Sequence, residues 1–199
     1  MGAPGRHRIR FGDGDVLQFR IELIGITPVV WRRVTVSGRA SLQELHGVIQ
    51  RAMGRYADGG YAFEVDGVRY LDPIDDPEPG HASDDTSLEM LELHPGAVCQ
   101  HVAEHHGEPW QDQVILELMA PRLVGQRLPV CLAGGRAAPP EDCDGPGRYR
   151  EMLAALAEPH DPRNADLWAW LPDDFDPAYV DLVAINASLA RLPKHRPAA

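Results

Sequence analysis

His101, Glu104, His105, His106, Glu108 and Asp112 fall within a dozen residues. Neutral imidazoles beside carboxylates are the donors that a divalent transition metal takes. On an extended strand side chains alternate, so His101 and His105 share a face while His106 points away. A hairpin turn near Gly107 could bring Asp112 back toward His105. A metal-dependent hydrolase would then be built on His101, His105 and Glu108 or Asp112. The spacing matches no established zinc signature, and a histidine-rich exposed turn is the plain alternative.

A second concentration of chemistry lies between Cys131 and Tyr149, in CLAGGRAAPPEDCDGPGRY. Cys131 and Cys143 flank this segment and could approach one another if it folds back. Two thiolates do not complete a tetrahedral site and the chain has no Cys-x-x-Cys pair, so both read as buried structural cysteines. Glu141 and Asp142 follow Pro139-Pro140, a rigid turn that fixes their directions. They could cap the helix entering at Arg148 or bind Arg32 and Arg33. A carboxylate pair can do acid–base work when its two environments separate the pKa values. Adjacent residues usually point apart, which favours the structural role. No Gly-x-Ser-x-Gly elbow, P-loop or dinucleotide fingerprint is present.

These residues must be placed by a scaffold that the patterning partly spells out. Val16 to Leu23 alternates apolar and polar residues, Gly25-Ile26-Thr27-Pro28 marks a turn, and Val29 to Val36 is β-branched and aromatic, so a hairpin is expected. Ser41-Leu42-Gln43-Glu44 has the form of a capping box. Leu42, Leu45, Val48, Ile49, Ala52 and Met53 then recur at helical spacing until Gly54. Tyr61–Val65 and Val68–Tyr70 read as short strands joined through Asp66-Gly67, a dipeptide suited to a tight hairpin turn. The acidic, Pro-rich stretch from Asp72 to Glu89 lacks calcium-loop register and reads as a solvated loop. Ala97–Ala103 and Gln113–Met119 form a further strand pair. Beyond the signature segment, Cys131 to Tyr149, the pattern is helical: Arg148 to Glu158, then helices opened by Asp161-Pro162 and Asp176-Pro177. Leu167, Trp168, Trp170 and Leu171 form an apolar block, and Tyr179, Leu182, Val183, Ile185, Leu189 and Leu192 an amphipathic last helix.

The 199 residues, 44% hydrophobic and 25% charged, suffice for one core with a helical appendage. Thirty acidic residues against 19 Lys and Arg leave a net charge of −11, which repels nucleic acid outside a local basic patch. Arg6, Arg8 and Arg10, with Arg32, Arg33 and Arg39, are the candidates for such a patch. Three cysteines, no leader-like start and no apolar run near the ~18 residues of a membrane span predict a cytoplasmic chain with reduced thiols.

Several segments together resemble the plasmid pRiA4b ORF-3-like family, whose members are often labelled passenger proteins of insertion elements. They are Trp31-Arg32-Arg33, LQELHGVIQRAMG from Leu42 to Gly54, Gly107-Glu108-Pro109-Trp110, and CLAGGRAAPPEDCDGPGRYREML with the later DFDP. The resemblance implies an α+β fold, a mixed β-sheet roll packed on one long helix with a C-terminal helical segment. It implies a single domain over 16–192, with the roll at 16–120 and the signature loop and helices at 121–192, between tails at 1–15 and 193–199. Three positions depart from the family pattern: Tyr61 and Asp112 stand where His is common, and Ala138 stands where Cys is common. A recombinase label sometimes given to the family would require an activated serine among clustered arginines. Ser37, Ser41, Ser83, Ser87 and Ser188 lack that setting. The expected function is therefore an interaction or ligand-binding module for a protein or small-molecule partner, without a cofactor. Its surface is where Trp31, Arg32 and Arg33 meet Trp110, Glu141 and Asp142, because loops of rigid, unusual composition carry binding more often than packing. The metal-dependent hydrolase and a mobile-element-associated DNA accessory protein are the alternatives.

Overall fold

The computed structural model describes residues 15–56, 59–72, 83–104, 107–158, 161, 171 and 175–193. Seven strands form one sheet: β1 (Asp15–Leu23), β2 (Trp31–Ser37), β3 (Tyr61–Val65), β4 (Val68–Leu71), β5 (Val98–Ala103), β6 (Trp110–Pro121) and β7 (Val130–Gly135), in the order β4-β3-β5-β6-β1-β2-β7. The fold is α+β. Every strand pairing is antiparallel, so the expected mixed sheet is corrected to an antiparallel one. Three of the six pairings, β1-β2, β3-β4 and β5-β6, are hairpins with short connections, which force antiparallel neighbours, whereas β3-β5, β1-β6 and β2-β7 join strands distant in sequence.

The helix α1 (Leu42–Ala52) follows β2 and forms as its sequence dictates. The Ser41 hydroxyl accepts from the Glu44 amide and the Glu44 carboxylate accepts from the Ser41 amide, completing the capping box. Leu42, Leu45, Val48, Ile49 and Ala52 are buried in one core with Phe19, Ile21, Val34, Phe63 and Leu116 of the sheet. Asp66 and Gly67, with φ of 50° and 79°, turn β3 into β4. Asp and Gly both tolerate this left-handed backbone, which matches the twist of a two-residue hairpin.

The acidic stretch is only partly a solvated loop. Residues 73–82 lie outside the described structure, but Ser83, Thr86 and Leu88 are buried. The carbonyls of Ser83 and Thr86 accept from the Gln43 and Leu42 amides, so this segment satisfies donors left open in the first turn of α1.

The second helix, α2, spans Pro146–Ala157 and buries Tyr149 and Met152. The third, α3, spans Leu182–Leu189 and packs on α1 and β7. It starts later than its sequence suggests. Asp176 accepts from the Ala178 amide and closes a turn, whereas Asp181 accepts from the Ala184 amide and caps the helix. Tyr179 and Val183 are consequently exposed. The helix expected from Asp161-Pro162 and the Trp168–Trp170 block lie outside the described residues. No described helix is long and apolar enough to cross a membrane.

Candidate functional site

The signature segment is a strand and a loop, not a loop alone. Cys131 to Gly135 belong to β7, an edge strand beside β2, with a bulge that leaves Leu132 without a β2 partner and half exposed. Its glycines have a steric cause. A Cβ on Gly135 would lie 2.5 Å from Trp31 Nε1, and one on Gly134 would lie 2.9 Å from Arg32 Cδ. The paired glycines thus clear space for the Trp31 and Arg32 side chains.

Arg32 and Arg33 diverge because neighbours on a strand face opposite ways. Arg33 is on the open face, where Nε and Nη2 donate to both oxygens of Glu117, and Arg20 lies 4.1 Å from the Trp31 ring centroid. Arg32 is 2% exposed. Its Nε donates to the Ala52 carbonyl at the end of α1, and its Nη1 reaches the carbonyls of Trp31, Gly135 and Arg136. These carbonyls include an orphan acceptor at a helix C-terminus, where a cation also complements the dipole. Burial pulls the Arg32 pKa down, and Cys131 and Tyr149 only partly offset it.

Arg32 stands on the wall of a cleft of about 360 Å³. Three separate parts of the chain meet there: the end of α1 with Arg51 and Tyr56, the signature loop at Ala137 and Ala138, and the segment from Phe175 into α3. Tyr149, wholly buried, fixes the loop by donating to the Ala137 carbonyl at 2.9 Å. The remaining expected binding residues are not in the lining. Trp31 and Arg33 are on the open face, Trp110 is buried under Arg55, and Glu141 and Asp142 are exposed on the loop. Glu108 accepts from the Gly147 amide in the first turn of α2.

A second polar cluster runs through the core. His101 on β5 is opposite Asp112 on β6, and both are fully buried. The Asp112 carboxylate accepts from His101 Nδ1 at 3.0 Å and from Arg55 Nη2 at 2.6 and 2.8 Å. Since that carboxylate only accepts, His101 carries its proton on Nδ1 and its Nε2 accepts from His46 Nδ1, 2.9 Å away. The His46 ring stacks on Tyr61 at 3.8 Å, and the Tyr61 hydroxyl is 2.6 Å from Ser83 Oγ. Burial raises the Asp112 carboxyl, but Arg55 and the His101 hydrogen bond outweigh it and hold the group below the usual carboxylate range. Burial lowers both imidazoles against the opposing pull of Asp112, His46 to about 3. The cluster at neutral pH is one ion pair, Arg55 with Asp112, extended by two neutral histidines.

This arrangement divides the expected metal-ligand set. His101 and Asp112 are together, but the Asp112 carboxylate accepts from His101 and Arg55, and the His101 Nε2 lone pair accepts from His46. Glu108 is at α2, and His105 and His106 lie outside the described residues. No group of three or more His, Cys, Asp or Glu among the described residues is arranged to hold a metal. Cys99, Cys131 and Cys143 are buried thiols whose pKa values burial raises, to about 12 for Cys99 and about 11 for Cys143. The sequence reading missed His46 and Arg55. His46 is four residues after Leu42 and three before Ile49, on the apolar stripe of α1, so its spacing carried the signal. Arg55, after the helix stop, carried none.

The family's sequence profile, described as plasmid pRiA4b ORF-3-like protein, matches residues 15–184. The chain belongs to the plasmid pRiA4b ORF-3-like family. It is 31% identical over 179 residues to the uncharacterized protein y4hQ of Sinorhizobium fredii (strain NBRC 101917 / NGR234), covering 88% of this chain and 91% of that one. It is also similar to a crystal structure of a protein of unknown function, MM3350 from Methanosarcina mazei Go1. The TM-score is 0.76 at 31% identity, over 85% of this chain and 96% of that one. Tyr61 and Asp112, which the sequence resemblance suggests stand where His is common, both fall in the buried polar cluster.

Proposed function

We propose that this member of the plasmid pRiA4b ORF-3-like family is a small-molecule-binding module whose site is the cleft beside Arg32. The observation that carries this reading is convergence. A concave space of about 360 Å³ is shaped by the end of α1, the signature loop and the approach to α3. Ligand sites are typically clefts of a few hundred Å³ with mainly apolar walls and a few placed polar groups. Ala52, Ala138, Val180 and Ile185 supply such walls, Tyr56 and Tyr179 supply rings, and Arg32 and Arg51 supply charge. The buried cluster around Asp112 suits catalysis less well: Arg55 makes its carboxylate a poor proton acceptor, and burial holds both histidines neutral.

A fragment library screened by ligand-observed NMR against the full chain tests this. Ala184 is exposed on α3 and lines the cleft, so Ala184→Trp fills the space without disturbing the core. Bound fragments are expected to be lost in Ala184→Trp and retained in Glu141→Ala/Asp142→Ala. Fragments that ignore the filled cleft would overturn the assignment.

A further inference from the structure

We infer that the cleft takes a monocarboxylate with an apolar or aromatic body, held by Arg32. This inference rests on the cleft being the binding site. It starts from a charge without a counter-ion. Arg32 is 2% exposed, yet among the described residues it forms no ion pair. Its four hydrogen bonds, all to carbonyls, come from Nε and Nη1, and Nη2 makes none of the described ones. A buried cation solvated only by neutral dipoles is stabilised by any anion that reaches it in a low-dielectric setting. The other buried arginine, Arg55, already has its carboxylate in Asp112.

The rest of the lining selects among anions. Arg51 adds a second cation, 4.5 Å from the Tyr56 ring centroid. Asp176 and Asp181 also line the cleft, each with one oxygen on a backbone amide. Two positive and two negative side chains leave no surplus for a polyphosphate, whereas one carboxylate on Arg32 is compatible with the acidic rim. The alanines and the rings of Tyr56, Phe175 and Tyr179 suit an apolar body. With Nε and Nη1 engaged, Nη2 is the atom left to donate a charge-assisted hydrogen bond to a carboxylate oxygen.

The test is titration of the full ¹⁵N-labelled chain with benzoate, neutral benzamide, inorganic phosphate and an acetylated dipeptide ending in a free phenylalanine carboxylate. Benzoate is expected to bind at least about tenfold more tightly than benzamide and phosphate, with shifts at Arg32, Ala138 and Ala184. The dipeptide separates a chain end from a small acid as the carboxylate's source, and binding as tight as benzoate's would assign the site to chain ends. Arg32→Lys, which retains the charge but not the guanidinium, is expected to weaken benzoate several-fold more than benzamide. Because Arg32 also ties four carbonyls together, the benzoate-to-benzamide ratio in the unaltered chain decides independently of any variant. Equal binding of both, lost in Ala184→Trp, would overturn the carboxylate and leave the cleft. Benzoate binding that survives Ala184→Trp would overturn the cleft itself. Absence of benzoate binding would overturn the carboxylate inference.

Discussion

Two buried arginines solve the problem of an internal charge in different ways. Arg55 meets a carboxylate, so removing it strands Asp112 and the hydrogen bonds that Asp112 organises. Arg55→Met is expected to destabilise the fold by about 3–5 kcal/mol in urea denaturation, the usual result of breaking a buried pair. The neighbouring histidines add a pH dependence whose direction follows from their depressed values. His46, at about 3 in the folded chain, returns to about 6.5 when unfolded. Between those values the unfolded state binds a proton that the native state refuses. Stability is therefore full above about pH 6.5 and falls as the pH drops toward 3, by up to about 1.4 kcal/mol per pH unit for such a histidine. His46→Gln should flatten that decline. An unchanged pH profile in the variant would remove His46 from the cluster's electrostatics.

At the level of elements, the signature segment acts by closing gaps between others. Gly145 has φ of 100°, and a Cβ there would lie 2.7 Å from the Glu108 carbonyl oxygen. Gly145→Ala thus combines backbone strain with a clash and should cost about 1–3 kcal/mol, read as a lowered urea midpoint. Glu108→Gln, which keeps the shape but loses the charge at the first turn of α2, should cost about 0.3–1 kcal/mol. The edge of the sheet is closed differently. Asn186 on α3 donates to the Cys131 carbonyl and accepts from the Cys131 amide, imitating a neighbouring strand. Asn186→Leu leaves both backbone groups of Cys131 without that partner. A loss of about 1–3 kcal/mol is expected, with faster amide exchange at Cys131.

Across the whole molecule, one core joins the parts. Val34 and Phe63 from the sheet, Ile49 from α1, Tyr149 and Met152 from α2 and Leu189 from α3 belong to a single buried cluster. Thermal or urea unfolding should therefore give coincident transitions by far-ultraviolet and near-ultraviolet circular dichroism. An earlier loss of the near-ultraviolet signal would make the C-terminal segment a separate unit. The elements that local chemistry specifies were legible in the residues alone: the Ser41–Glu44 cap, the apolar stripe of α1, the Asp66-Gly67 turn and the alternation of β1 and β2. Each depends on partners a few residues apart or on a period that a strand or helix imposes. The positions of Arg55, Glu108 and α3 depended on distant contacts, as did the burial of Ser83. So did the separation of Arg32 from Arg33: alternation requires it, but only the packed sheet decides which face is closed. The sequence by itself determined the family, the α+β class and the residues able to carry charge and hydrogen bonds. Tertiary structure alone decided that Asp112 meets Arg55 and His101, and that Arg32 meets carbonyls beside a cleft. Apart from the adjacent Trp31 carbonyl, those pairings join residues from 11 to 104 positions apart, and no local period encodes such a separation.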